Sequence, residues 1–447
     1  MKKNKQVFLI DNPQSFKVQI LHWSNQFEVC TFLDTHAYDS PYGALDCIAA
    51  IGPVSFIALN SVNAQKLDAF IQTHSGEWIF AHFNYEYHSI TKSNTKANLT
   101  GFPLAYLYKP AIVIELTDNQ VTIQSDSENP QIIFDQISSF IVPSLSEPGT
   151  EQRPYQSAAP TTSIIPFISK AAYLEAIDKI LSLIKRGDFY EINYCQAFEV
   201  EHLSAHPVAL YSNLMEVSPT PFACFYKNNS DYLLCASPER YLQKKGNQLI
   251  SQPIKGTIKR NLHNDVDDKL QVEALQNSSK DKSENVMVVD LVRNDLSRIC
   301  KQGTVEVSEL FGIYSFPQVH QMISTITGKL TSNTLFSEIL EATFPMGSMT
   351  GAPKKSVMET IDALEPTKRG LYSGTVGYFN PAGDFDFNVV IRSIFYNSDT
   401  KKASYGVGGG ITIYSDPEKE YEECLLKAAA IKKVLSGNDS TTDEHLQ

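Results

Sequence analysis

The chain has 447 residues, 42% of them hydrophobic and 20% charged, with a net charge of -12. Its length exceeds the roughly 250 to 300 residues at which one core stops growing, so two lobes or one large elaborated fold are expected. The acidic balance disfavours nucleic acid as a partner, and no stretch approaches the roughly 20 apolar residues of a membrane span.

In chain order, the basic start Met1-Lys2-Lys3-Asn4-Lys5 is followed by an apolar piece, 7–10, too short for a secretory leader. Residues 18–21, 54–59, 111–116 and 121–124 read as strands, and 64–73 as a helix. A Pro/Ser/Thr/Ala-rich stretch then reads as a linker. The expected organisation is an N-terminal region 1–142, a linker 143–163, a catalytic region 164–435 and a disordered tail 436–447.

After the linker, apolar residues at Leu174, Ile177, Leu181 and Ile184 predict a helix over 171–185, stopped by Gly187. An alternating strand follows at 191–200, then strands at 232–235 and 240–243 set between hairpin signals at 227–231 and 244–247. A second meander runs 374–379, 385–395 and 403–414. With helices between and after the meanders, the fold class is α+β, with large antiparallel β-sheets packed as a sandwich and helices outside.

Lys255, in Gln252-Pro253-Ile254-Lys255-Gly256-Thr257, sits between two backbone punctuators and a hydroxyl. Its free pKa near about 10.4 makes it a nucleophile only where its surroundings favour the neutral amine. Two helices carry paired carboxylates. One, over 280–299, places Asp281 and Glu284 on one face near its start; the other, capped by Asp416 with Pro417 at its first position, aligns Glu420, Glu423 and Lys427. Each pair alone is ordinary compensation of a helix dipole. Converging, the two pairs suit a hard cation such as Mg²⁺, which takes one or two carboxylates and completes its shell with water.

Between the helices, 344–354 is a Gly- and hydroxyl-rich loop containing Ser348, a possible anion cradle of backbone N–H groups. His320 reads equally as a core or a site histidine. Arg392 lies on an apolar strand and needs a carboxylate partner from protein or ligand. Gly408, Gly409 and Gly410 interrupt a strand, which implies the close approach of another backbone or a ligand. The seven cysteines are scattered without C-x-x-C spacing, which fits a reducing cytoplasm rather than a disulfide or zinc framework.

Taken in register, G-D-F-Y-E-I-N-Y-C-Q (187–196), S-P-E-R-Y (237–241), P-I-K-G-T (253–257), the run from Lys280 to Leu296, V-H-Q-M-I-S-T (319–325), M-T-G-A-P-K (349–354), R-G-L-Y-S-G-T-V-G-Y (369–378) and E-Y-E-E-C-L-L-K (420–427) resemble the chorismate-utilising enzymes. That family includes anthranilate, aminodeoxychorismate, isochorismate and salicylate synthases, and the resemblance implies the fold of anthranilate synthase component I. It implies Glu284 and Glu423 as direct magnesium ligands, with Asp281 and Glu420 acting through water. It implies that Tyr372 and Arg392 hold the enolpyruvyl carboxylate beside Gly408, Gly409 and Gly410, and that magnesium and the Ser348 loop hold the ring carboxylate. Glu239 is the implied acid for the departing C4 hydroxyl, with His320 beside the ring and Thr257 and Lys427 in the binding set.

Within the family, members that add water carry a lysine base where this chain has Glu191. Anthranilate synthases usually have alanine where Lys255 stands. The resemblance therefore implies the aminodeoxychorismate branch, in which a lysine attacks C2 of chorismate and ammonia then enters at C4. Lys427, Arg392 and magnesium are the cations expected to keep Lys255 neutral. Two departures stand out: 78–86 lacks the family's glycines, and no cysteine lies in a G-x-C-x-G elbow, so a glutamine amidotransferase subunit or free ammonia is the expected nitrogen source. The alternatives are an anthranilate synthase and a catalytically silent chorismate-binding subunit.

Overall fold

The computed structural model describes residues 4–36, 38, 45–88, 95–142, 163–316 and 318–436. Nearly all of the proposed linker and tail lies outside them. The first segment contains β1 (Asn4–Leu9), α1 (Pro13–Ser24), β2 (Val29–Asp34), β3 (Cys47–Leu59), α2 (Ala64–Thr73), β4 (Ile79–Phe83), β5 (Ala105–Thr117), β6 (Gln120–Ser125) and α3 (Pro130–Ser138). Next come β7 (Ile164–Pro166), α4 (Lys170–Arg186), β8 (Glu191–Val200), α5 (Pro207–Val217), β9 (Phe222–Asn228), β10 (Asp231–Ser237), β11 (Arg240–Lys245), β12 (Gln248–Gln252) and β13 (Ile254–Lys259). They are followed by α6 (Asp265–Asn277), α7 (Ser279–Ser297), β14 (Glu306–Ser315), β15 (Val319–Lys329), α8 (Phe336–Thr343), the short β16 (Gly351–Ala352) and α9 (Lys354–Leu364). The chain closes with β17 (Thr375–Phe379), β18 (Phe385–Asn388), β19 (Ser393–Asn397), β20 (Lys402–Thr412), α10 (Pro417–Lys427) and α11 (Ala429–Ser436).

The strands form two antiparallel layers that share one long strand pair, β3 with β5. One layer runs from β8 through β20, β19, β10, β9, β2, β3, β5 and β6 to β1, with β7 and β16 on the outer edge of β8. The other runs from β4 through β17, β18, β11 and β12 to β15, which also pairs with β13 and β14. β3 and β5 pair along their whole length, but the far edge of β5 changes neighbour, from β4 at 105–108 to β6 at 112–117. Pro53 and Pro110 face each other at that change. Neither has an N–H to donate, so the divergence falls where a ladder would be broken in any case.

Between the layers, Leu233, Cys235, Tyr241, Leu249, Ile326, Phe379 and Phe387 share one apolar core. A second core lies under α1, α3, α5 and α11, and a third joins α4, β8 and α9. β2 pairs with β9 and β4 with β17, so both layers draw strands from before and after the linker.

Two expected elements differ. Residues 18–21 lie inside α1, because the Asn12 side chain accepts from Ser15 N and Pro13 occupies the first turn, which starts a helix upstream of the apolar run. The expected strand 385–395 is two strands. β18 belongs to one layer and β19 to the other, and Val389–Arg392 is the crossing between them. Arg392 therefore lies off the strands, at φ 51, a conformation that a non-glycine residue seldom adopts.

A buried network locks the end of α9 to β8. The Arg369 guanidinium donates to Glu365, to Met349 O at 2.7 Å and to Asn193 O at 2.8 Å, while Glu365 Oε1 accepts from Cys195 N at 2.9 Å. Removing one partner of a buried pair leaves the other charge uncompensated. Arg369→Ala is expected to cost about 3 to 5 kcal/mol, read as a lowered urea midpoint.

Candidate active site

Lys255 lies on β13, where the pairing with β15 shifts register between Ile254 and Thr257. Gly256 makes that bulge: its φ is +92, and a Cβ there would lie 3.0 Å from Asp281 Cβ. The bulge carries the lysine toward the other layer, where Nζ donates to Glu191 Oε1 on β8 at 2.9 Å. Glu191 Oε2 is buried without a hydrogen-bond partner. Gly410 on β20 backs this pair, since a Cβ there would lie 2.7 Å from Glu191 Oε1 and 3.0 Å from Lys255 Nζ. Its neighbour Gly409 faces Glu420 and Lys427 instead, at 3.3 and 3.8 Å from an added Cβ, and Gly408 faces Cys195 Sγ.

Two strand crossings supply the next groups. The chain passes from β10 in one layer to β11 in the other through Ser237–Glu239, alongside Val389–Arg392, with Val389 N donating to Glu239 O at 3.0 Å. Glu239 is buried, and burial pushes its carboxyl up to about 7, against the pull of Ser348, Lys255 and Arg392. Ser348 Oγ stands beside it, buried and without a well-formed hydrogen bond. Burial lowers the pKa of Arg392, with Glu239 opposing. Among the described residues its guanidinium makes no ion pair. It is held next to the site with its donors uncommitted.

The carboxylates of α7 and α10 approach from the side. Burial raises Glu284, with Lys255 and Lys280 opposing. Burial also raises Glu420, whose Oε1 accepts from Ser415 Oγ at 2.7 Å. For Glu423 burial acts upward too, but Lys427, at 2.9 Å, with Lys280 and Lys255 outweighs it and holds the carboxyl below its ordinary value. Lys280 thus acts on all three glutamates, which places the two helix starts in one neighbourhood. Among the described residues no three acidic, His or Cys side chains converge tightly enough to hold a metal alone. The donor set fits an ion that takes one or two carboxylates from the protein and the rest of its shell from water and substrate, as Mg²⁺ does.

Several expectations change. Around Lys255, burial favours the neutral amine, but Glu191, Glu284 and Glu239 outweigh it and raise the pKa, so in the free protein acids dominate rather than Lys427 and Arg392. In the 344–354 loop, Met349 N and Thr350 N are spent on Met346 O and Gly347 O, which removes two donors from the expected cradle. The His320 ring is occupied by Ser315 Oγ at 2.8 Å and Asp268 Oδ1 at 3.0 Å. Thr257 is exposed and meets Gln321 Nε2 at 3.4 Å, while Tyr372 is buried with its hydroxyl 3.7 Å from Cys195 Sγ. Sequence reasoning missed Glu191 as the partner of Lys255. Its signal was a carboxylate at the start of a strand otherwise rich in apolar residues, which needs a cation once buried.

Residues 32–433 match the family described as chorismate binding enzyme. The chain belongs to that family. The chain is 41% identical over 277 residues to the chloroplastic aminodeoxychorismate synthase of Arabidopsis thaliana, a match that covers 61% of this chain and 30% of that protein. It is 34% identical over 318 residues to aminodeoxychorismate synthase component 1 of Bacillus subtilis, covering 71% of this chain and 66% of that one. The match thus spans less than two thirds of each of these curated relatives. Among solved structures, anthranilate synthase component I from Streptococcus pneumoniae superposes with a TM-score of 0.73 at 22% identity, over 89% of this chain and 95% of that one. The menaquinone-specific isochorismate synthase of Escherichia coli gives 0.74 at 18%, over 97% and 94%. These two share the fold with this chain.

The folded state holds the Glu239 proton at pH values where the unfolded chain has released it. Stability is therefore expected to decline as pH rises from 4.5 toward about 7, by on the order of 3 kcal/mol. Glu239→Gln should flatten that slope in denaturant titrations run across the range.

Proposed function

We propose that the chain is an aminodeoxychorismate synthase component I, which replaces the C4 hydroxyl of chorismate with an amino group taken from ammonia. The observation that carries the reading is the joint placement of Lys255 against Glu191, Glu239 with its carboxyl pushed up to about 7, and Arg392 with no ion pair among the described residues, all at the seam between the layers. The relatives named aminodeoxychorismate synthase, at 34% to 41% identity, support the same branch.

In this reading Arg392 and Tyr372 hold the enolpyruvyl carboxylate, and Ser348 faces the ring carboxylate. The Lys255 nitrogen bonds to C2 as the ring π electrons shift and the C4–O bond breaks, and Glu239 delivers the proton that lets the oxygen leave as water. Ammonia then bonds to C4 and the lysine departs from C2, so one difficult substitution becomes two easier ones. Glu284 and Glu423, with Asp281 and Glu420 behind them, would hold magnesium, which would supply the charge that offsets a dianionic substrate in an acidic protein. The position of His320 beside the ring and of Thr257 and Lys427 in the binding set belong to the same proposal.

Ammonia is taken from a glutamine amidotransferase subunit, which the "component 1" of the relatives' names supports. No helix among the described residues is long and apolar enough to cross a membrane, and all seven cysteines are buried free thiols, which supports a reducing cytoplasm.

Incubation with chorismate, magnesium and ammonium, followed by product separation with and without an aminodeoxychorismate lyase, tests the reading. The para amine is expected; anthranilate would reassign the chain, and chorismate that binds but is never consumed would leave a silent subunit. Lys255→Ala should abolish the para product, and wild-type turnover in that variant would remove the covalent route. Glu423→Gln is expected to lose magnesium dependence together with turnover, whereas a wild-type magnesium titration would displace the metal site.

A further inference from the structure

The pairing of Lys255 with Glu191 leaves a chemical question that the carboxyl of Glu239 does not answer. An amine nucleophile must first shed a proton, and the acid that drives out the C4 oxygen cannot receive it. Glu191 has the geometry for that task. Its Oε1 is 2.9 Å from Lys255 Nζ, its Oε2 is buried with no partner among the described residues, and the pair is pressed against the Gly410 backbone, where even a methyl group would crowd both members.

Other groups face the lysine. They are Glu284 from α7, with Asp281 against the adjoining Gly256, Glu239 from the crossing, and Glu423 on α10 beside its own Lys427. Arg392 faces Glu239 and Lys280 faces the α7 and α10 acids. Among the described residues only Glu191 hydrogen-bonds to Nζ. Burial alone favours the exchange, because a neutral amine beside a neutral acid suffers less from desolvation than two buried charges, while the surrounding acids hold the proton on the resting lysine.

We infer that Glu191 is the base of the covalent step: it takes the proton from the Lys255 ammonium before attack and returns it when the amine leaves. The inference rests on the covalent reading above. Atoms and charges balance. The ammonium and carboxylate become amine and carboxylic acid; the amine nitrogen bonds to C2 and the C4 oxygen departs as water with the Glu239 proton. The incoming ammonia forms the C4 ammonium, which restores the proton to Glu239. Lysine leaves C2 as a neutral amine and is reprotonated by Glu191.

The test is single-turnover adduct formation on the full chain, with chorismate and magnesium but no ammonia, quenched with acid and read by intact-protein mass from about pH 6 to about pH 9. Glu191→Gln is expected to slow the adduct by about 10² or more near pH 7. The wild-type-to-variant ratio should then shrink about tenfold per pH unit, because the variant depends on spontaneously neutral lysine. Glu239 titrates in both proteins and cancels from that ratio. Glu191→Asp keeps a carboxylate one methylene short, so its ratio to wild type should be constant with pH. A Gln variant with wild-type rates and a pH-independent ratio would overturn the inference, as would an Asp variant whose ratio shrinks with pH. Failure of the underlying reading looks different: Lys255→Ala would then make the para amine at wild-type rate, whatever Glu191 variants do.

Discussion

Everything in the site depends on one constraint, the meeting of Lys255 and Glu191 across the seam of two apolar layers. Both side chains are largely shielded from water, and neither charge is tolerable there alone. The contact therefore fixes how β13 stands relative to β8. The bulge at Gly256 and the bare backbone at Gly410 serve that contact, one by turning the lysine inward and the other by leaving it room. Proposed substrate binding then inherits a reactive amine already oriented by the fold, which is the condition under which positioning lowers a barrier.

The crossings have the same logic in backbone form. A strand that changes layer must break its ladder, and the broken stretch exposes groups that a continuous strand would point into a core. Glu239 and Arg392 stand on two such stretches lying side by side. The left-handed backbone of Arg392 is a local cost of about 1 to 3 kcal/mol, held in place by bonds between the two crossings and by Ser373 and Gly374. Two groups of opposite character thus arrive together, an acid whose pKa burial raises and a guanidinium that forms no ion pair among the described residues.

Much of this was legible in the amino-acid order. The cap at Asp416, the stop at Gly187 and the 64–73 helix are local signals and appear as read. The strand pieces were visible through alternation, and the motifs that carry Lys255, Glu239 and the α7 and α10 acids identified the family. What was not legible is tertiary. Nothing in the apolar run 385–395 marks the point at which it leaves one layer for another, because both halves are equally buried. The run at 18–21 looked like a strand only when its Asn12-Pro13 start was ignored. The partner of Lys255 lies 64 residues upstream, and no spacing rule connects a strand's first residue to a bulge on a different layer.

The shared pair of β3 and β5 also bears on how the protein is made. β2 finds its outer neighbour in β9, and β4 finds its own in β17, nearly three hundred residues later in synthesis. Until those strands emerge, the early segment presents two unpaired edges with apolar faces, the kind of surface that recruits wrong strands. Folding is consequently dominated by distant pairings, which are slow to close. During translation the amino-terminal segment is thus a template waiting for its complement.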